Sequence, residues 1–462
     1  MSINEHIERM KDEIINSTVE LVKIKSLEGE ASEGKPFGEG PYLALEKALE
    51  ISEKLGFKTK NLDGYVGYAE YGEGDEYVAA LGHLDVVPEG DGWNYDPYGG
   101  EIVDGKIYGR GTTDDKGPIV AALYGVKAIM DEGLSLSKKI RIIFGTNEET
   151  GSKELEYYLE REKPPVAGFT PDADYPLING EKGITIFDLI KKFDEQKGDV
   201  ILKELYGGQA ANMVPDKCEA VIGCVQSEEI INNLNEFVKR TGYDIKGEIC
   251  EGGIKLTCIG ESAHGSTPEL GFNSIMALMN FLGEIKFSSN EINEYITFMN
   301  NKIGMNLHGE DFGCYLEDEV SGKLSFNVGV IKLENSEIKM ILNLRYPVTK
   351  TLDDMLNPVK ETIKGTGIDL ENFVHQEPLY YPADHPLVRS LQEVYEEETG
   401  NRAELISIGG GTYAKEMPNI LAFGPQFPGE PDTIHKPNEY ITIDNLIKNA
   451  KIYSNALYKL AK

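Results

Sequence analysis

The sequence predicts an α/β fold: one domain with a mostly parallel central sheet flanked by helices, interrupted by an inserted α+β domain. Three observations predict it. Short apolar runs alternate with helical periodicity over the first part of the chain, polar residues collect just beyond the ends of those runs, and the pattern changes in the middle before returning. The expected boundaries are 1–181 and 382–462 for the interrupted domain and 182–381 for the insert.

The elements follow in order. The N-terminal MSINEHIERMKDEIINSTVELV places Ile7, Met10, Ile14 and Leu21 at helical spacing among charges, so it reads as an amphipathic helix rather than a leader peptide. Residues 76–87 (EYVAALGHLDVV) form a buried-strand run that ends on His83 and Asp85. A helix is expected over about 116–132, with Ile119, Leu123, Val126 and Met130 on one face. Residues 139–145 are a second strand, followed directly by TNEETGS, and a third run from Val166 to Thr170 stops at Pro171-Asp172. In open α/β sheets ligands gather beyond the carboxyl ends of strands, where these polar residues fall. In the insert, 184–190, 254–262, 323–333 and 336–347 read as strands, with helices near 227–239, 273–285 and 351–364; the turn-rich stretch 286–322 is undecided. The first pattern returns with a helix near 386–399, a Gly-rich turn and a C-terminal helix near 442–461.

Bulk properties narrow the function. Lys plus Arg number 46 against 78 Asp plus Glu, a formal net charge of −32. Such a surface repels phosphate backbones and anionic membranes, so neither nucleic acid nor membrane is an expected partner. No apolar run approaches the roughly 20 residues a membrane span needs. The five cysteines, Cys218, Cys224, Cys250, Cys258 and Cys314, form no CxxC pair and are odd in number, which points to a reducing cytoplasm.

Chemistry-bearing residues lie at the strand ends. In His83-Leu84-Asp85, residues i and i+2 share a face, and a metal-bound histidine commonly donates its second N–H to such a carboxylate. In YGRGTTDDKGP the glycines permit a tight loop before a helix. One of Asp114 and Asp115 would suffice for N-capping, and the other is left for bridging cations. Glu148 and Glu149 repel each other unless a cation compensates, in which case one binds metal and the other stays free to carry protons. Asp172 and His435 complete a mixed N/O set without thiolate, suited to Zn²⁺, Mn²⁺ or Co²⁺ and unlike a helical HExxH site. Two such ions a few ångströms apart would generate hydroxide and hold both oxygens of a tetrahedral intermediate.

The segments GHLDVVPEGDGW, YGRGTTDDKGP, GTNEETGS, TPDADYPLINGEKG, SAHGSTPELG, LRYPV, GGGTYA and FPGEPDTIHKPNEYI together resemble the aminoacylase/carnosinase/succinyl-diaminopimelate desuccinylase metallopeptidases, and within them the bacterial PepV-type dipeptidases. The resemblance runs from about residue 10 to the C-terminus. It implies a catalytic α/β domain with an inserted lid, and two divalent ions, zinc first, with manganese or cobalt as alternatives. It makes Asp114 the bridging carboxylate, pairs His83 with Asp172 on one metal and Glu149 with His435 on the other, and places Asp85 behind His83. Glu148 becomes the general base that later delivers its proton to the leaving amine. His264 would stabilise the oxyanion, and Asn212, Arg345 and the Gly410-Gly411-Thr412 turn would hold substrate, an inward Arg requiring an anion such as a peptide carboxylate.

The implied activity is hydrolysis of unblocked dipeptides and some tripeptides. The rivals are an N-acyl-amino-acid or N-succinyl-diaminopimelate deacylase, and a metal-binding protein without turnover. The enlarged insert implies a monomer, because its extra half replaces the lid a partner would supply.

Overall fold

A computed structural model describes residues 2–225 and 227–462; Met1, at the start of the expected N-terminal helix, and Gln226 lie outside the described residues. The chain divides into two units. The first comprises residues up to Asn179 together with Tyr381–Ile406 and Thr412–Lys462; the second comprises Gly180–Tyr380 and Ser407–Gly411.

The first unit is built on a sheet ordered Lys58–Leu62, Val66–Tyr71, Lys139–Gly145, Tyr77–His83, Ala167–Thr170, Ile420–Ala422 and Leu177–Glu181. Its four middle strands, from Lys139–Gly145 to Ile420–Ala422, run parallel, and the outer ones are antiparallel. All residues of Tyr77–His83 are buried, as expected for a parallel strand covered on both faces. The strand ends at His83 rather than continuing to residue 87, because the chain leaves the ladder there: Val86 N donates to Ser26 O at 3.2 Å.

The crossover helix Lys116–Glu132 follows the expected span and closes on Gly133 at φ +69°, a left-handed cap that glycine adopts without a Cβ clash. It is buried almost all round, against the C-terminal helix Ile443–Ala461 and two N-terminal helices, Ile3–Arg9 and Lys11–Val22. The expected single N-terminal helix is thus two, broken at Met10, and both halves bury apolar residues (Ile7; Ile14 and Leu21). Helix Lys116–Glu132 meets Ile443–Ala461 at Gly125, where Ser454 Oγ donates to Gly125 O at 2.8 Å.

The second unit is an α+β body. Eight strands, all antiparallel, take the order Asp244–Cys250, Gly253–Ile259, Lys217–Cys224, Val200–Gly207, Ser325–Glu334, Glu337–Tyr346, Gly183–Lys192 and Ile368–Gln376. Helices Ser227–Thr241, Ser274–Leu282, Asn290–Lys302 and Leu352–Ile363 contribute Leu234, Phe237, Phe281, Met299 and Val359 to its core. The undecided stretch 286–322 resolves into helix Asn290–Lys302 and one short ladder strand, Glu317–Asp318, paired with Gly322–Lys323. Residues 407–411, expected with the C-terminal segment of the first domain, group here instead. They are tied in by Lys182 N donating to Ile408 O at 3.0 Å and by Arg345 Nη1 donating to Gly409 O at 2.5 Å.

A Cβ added at Gly125 would lie 3.1 Å from both Ala450 O and Ser454 N. Gly125→Val is therefore expected to lower stability by about 1–3 kcal/mol, the usual cost of overpacking. Thermal unfolding checks this, and an unchanged Tm contradicts the close helix approach.

Candidate metal centre

Three adjacent parallel strands deliver their carboxyl ends to one edge of the first unit's sheet: His83 directly, Gly145 just before Glu148 and Glu149, and Thr170 just before Asp172. Asp114 arrives on the loop before helix Lys116–Glu132, and His435 on a loop after the Ile420–Ala422 strand. His435 has φ +60°, a left-handed conformation uncommon for a residue with a Cβ.

Asp114 is the centre of the arrangement. Its Oδ1 lies 2.8 Å from His83 Nε2, and its Oδ2 lies 2.9 Å from His435 Nε2. Asp172 Oδ2 is 3.7 Å from His83 Nε2, and Glu149 Oε1 is 3.2 Å from His435 Nε2. One carboxylate thus faces two imidazoles, each with a further acid beside it. Ligand atoms of His83, Asp114 and Glu149 lie within 4.8 Å of one another, as do those of His83, Glu148 and Asp172. Glu148 is therefore near enough to His83 and Asp172 to share a cation with them.

The neighbouring aspartate does not cap the helix. Asp115 occupies the N-cap position of Lys116–Glu132 without a side-chain capping bond. Its Oδ2 instead accepts from His83 N at 3.3 Å, an approach possible because residue 82 is glycine: a Cβ there would collide with Asp115.

Asp85 holds two parts of the site at once. His83 Nδ1 lies 3.0 Å from the Asp85 carbonyl oxygen and 3.5 Å from its Oδ1, so the backbone oxygen is the nearer acceptor. The carboxylate accepts from Glu148 N at 3.2 Å and Glu149 N at 3.1 Å, one N–H per oxygen. These are the open donors at the start of the short 3₁₀ turn Glu148–Thr150. Behind that turn, Asn147 N donates to Glu154 Oε1 at 3.3 Å, and buried Tyr413 donates its hydroxyl to the same oxygen.

Protonation reflects the crowding. Burial, then Asp114, raises Asp172 to about 8. Burial, then Asp172, pushes Glu148 and Asp115 well above the usual carboxylate range, and burial with Asp114 raises Glu149. Hydrogen bonds to Asp114 and Glu149 raise His435 to about 11. Burial opposes ionisation of Asp114, but hydrogen bonds from His435 and His83 still hold its carboxyl well below the usual range. Two imidazoles cannot neutralise this many carboxylates, whereas divalent cations can, and the N/O donors without thiolate suit such ions. The residues fit two metals.

The remaining expected residues lie in the second unit, Thr412 excepted. Asn212 and His264 sit on paired segments, with Gly265 N donating to Asn212 O at 2.7 Å. Ser266 Oγ is 2.6 Å from His264 Nδ1, and Ser266 N donates to that nitrogen at 3.4 Å. An amide can only donate, so Nδ1 accepts and the neutral ring carries its proton on Nε2. Burial, then Arg345, lowers the His264 pKa and favours that neutral ring. Arg345 is 5% exposed and donates to Asn343 Oδ1 at 3.2 Å and to Gly409 O, both neutral. Among the described residues no carboxylate pairs with it, and burial lowers its pKa to about 10. Gly410 and Gly411 follow in the same turn, while Thr412 caps helix Tyr413–Glu416, accepting from Ala414 N at 3.1 Å.

Sequence reasoning passed over Ser266, Glu154, Tyr413, Arg110 and Glu439. Ser266, Arg110, Glu439 and Tyr413 stand inside the recognised motifs, the one signal that could have found them; nothing near Glu154 distinguishes it from a surface acid.

A parallel sheet that gathers imidazoles and carboxylates at its strand ends is the build of a metal-dependent hydrolase. Comparison with known proteins agrees. The model of peptidase family M20/M25/M40 matches residues 79–459. The chain is 41% identical over 462 residues to the Bacillus subtilis (strain 168) protein named "Putative dipeptidase YtjP", with 98% of each covered. It is 35% identical over 466 residues to the Beta-Ala-Xaa dipeptidase of Lactobacillus delbrueckii subsp. lactis, covering 100% of this chain and 99% of that one. Among solved structures, human carnosine dipeptidase 1 shares the fold, with a TM-score of 0.57 at 17% identity over 99% of this chain and 98% of that one. The chain belongs to peptidase family M20/M25/M40 and is a divalent-metal-dependent peptidase.

Asp85→Asn keeps the size of the side chain but cannot accept both glutamate N–H groups as an anion. It is expected to weaken metal binding by about 10–100-fold. Zinc titration of the apo-protein checks this, and wild-type affinity would separate Asp85 from the site.

Proposed function

We propose that this peptidase is a dipeptidase that cleaves unblocked dipeptides, and some tripeptides, at two divalent cations. The observation that carries the reading is the match to a Beta-Ala-Xaa dipeptidase along the whole chain, both units included. Asp114 would hold both cations, His83 and Asp172 would complete one site and Glu149 and His435 the other, in keeping with the two-sided distances around Asp114. Bound there, the cations would polarise the scissile carbonyl and acidify an attacking water.

Glu148 takes the proton from that water and delivers it to the leaving amine. Asp85 keeps Glu148 and Glu149 on separate tasks by holding their adjacent N–H groups. His264, neutral with its proton on Nε2, donates to the developing oxyanion. Arg345 takes the substrate carboxylate, an anion its buried guanidinium otherwise lacks, with Asn212 and the Gly410-Gly411-Thr412 backbone beside it. A carboxylate clamp at a fixed place limits peptide length.

Zinc is the first choice of metal because it stands above manganese in intrinsic affinity for such ligands. The second unit acts as the lid, and its size makes the enzyme a monomer. The cytoplasm is the assigned compartment: all five cysteines are free thiols, four of them buried. Among the described residues no helix is long and apolar enough to cross a membrane.

Apo-protein supplied with Zn²⁺ or Mn²⁺ is expected to hydrolyse Ala- and β-Ala-containing dipeptides, with N-acetylated counterparts as poor substrates. A preference for the acetylated compounds in kcat/KM would make the enzyme a deacylase. Glu148→Gln is expected to retain both metals while kcat falls by about 10²–10⁴-fold. Loss of one metal equivalent in that variant would instead make Glu148 a ligand.

A further inference from the structure

The geometry points to Arg110 and Glu439 as positioning residues: a buried ion pair that fixes the backbone of Asp114 and His435 and thereby sets the affinity of the metal centre. This rests on the reading of Asp114 and His435 as ligands.

Glu439 is fully buried four residues after His435. Its Oε1 accepts from two successive amides, Thr113 N at 3.0 Å and Asp114 N at 3.3 Å. Its Oε2 accepts from Arg110 Nη1 at 2.7 Å, and its backbone oxygen accepts from Gly109 N at 3.0 Å. The loop carrying Asp114 is thus tied at both ends to the residue that ends the His435 loop.

Arg110, 1% exposed, extends the tie to a third segment. Its Nη2 donates to Pro88 O and Glu89 O, each at 3.3 Å, just after His83 and Asp85. Its Nη1 also reaches Lys436 O at 3.5 Å, next to His435. The guanidinium lies 5.4 Å from the Trp93 ring, and Trp93 Nε1 donates to Glu89 O at 2.7 Å. One ion pair therefore joins the loop that follows His83 to the loops bearing Asp114 and His435.

Packing does not hold His435 by itself. Residues 431–437 are exposed or half-buried, and both His435 and Asn438 have left-handed φ, +60° and +63°. Left to itself such a loop would relax toward commoner backbone shapes. Nor is stability a sufficient reason for the pair, since apolar residues of similar volume commonly do as well as a buried ion pair. What apolar residues cannot do is accept the Thr113 and Asp114 amides while reaching three carbonyl groups on two other loops.

The test is zinc titration of apo-protein by calorimetry, with circular dichroism and Tm as the control for folding. Glu439→Gln is expected to bind zinc about 10–100-fold more weakly. In Arg110→Met/Glu439→Gln no charge is left unpaired, so the Tm should recover relative to the single variant while the affinity stays low. Wild-type zinc affinity in either variant overturns the proposal. Should neither fold, Arg110→Lys keeps the charge but loses the planar fork, and it carries the same expectation and the same refutation. Asp114→Asn and His435→Ala run alongside. If they too bind two zinc ions normally, the ligand reading fails; if they lose metal and Glu439→Gln does not, only the positioning role fails.

Discussion

Acids whose oxygens lie within 4.8 Å of one another repel, and that repulsion governs how the metal centre of the first unit is built. Two unit charges about 4 Å apart oppose each other by about 4 kcal/mol at an effective dielectric of 20. Asp114, Glu148, Glu149 and Asp172 crowd around two imidazoles, with Asp115 pressed against the His83 amide. Side chains alone would spread such a cluster apart. What holds it is backbone: the Asp85 carboxylate fixes two amides beneath the glutamates, Glu439 fixes two beneath Asp114, and Glu154 fixes the one before Glu148. Asp85 and Glu439 gain partners for both of their oxygens in the process, so the burial of one acid stabilises the loop that carries another.

Sheet topology makes these contacts possible. Parallel strands release their chains at the same edge, so three neighbours bring His83, the glutamates and Asp172 together without long loops. Gly82 opens the space for Asp115, and Gly145 does the same for Tyr413, whose hydroxyl would collide with a Cβ there. The strand sequence is therefore not merely apolar; it is apolar with gaps where polar groups must approach.

Legibility in the sequence followed this physics. Long periodic elements such as Lys116–Glu132 and strand Lys139–Gly145 were readable because burial imposes its period on the residues themselves. Short strands such as Ile420–Ala422 offer too few residues for a period, and helix Asn290–Lys302 is hidden by the polar, turn-like sequence around it. Ligand candidates stood out by position at strand ends. Their supports did not: Glu439 follows Pro-Asn in an acidic chain and reads like any solvated glutamate, and only the fold discloses that it is buried beneath Asp114. Asp115 shows the opposite case. By rule it belongs to the helix as a cap, yet tertiary contact turns its side chain to the His83 amide instead.

Electrostatics divides the polar residues between the two units. The first unit's cluster is acidic and gathers cations, while the second unit's cluster holds neutral donors and one buried guanidinium. With a net charge of −32, the protein as a whole disfavours anions. Only a local group able to outweigh the general field can attract one, and a guanidinium denied both water and an acidic neighbour is such a group. Arg345 meets both conditions, since its acceptors Asn343 and Gly409 are neutral and leave its charge uncompensated.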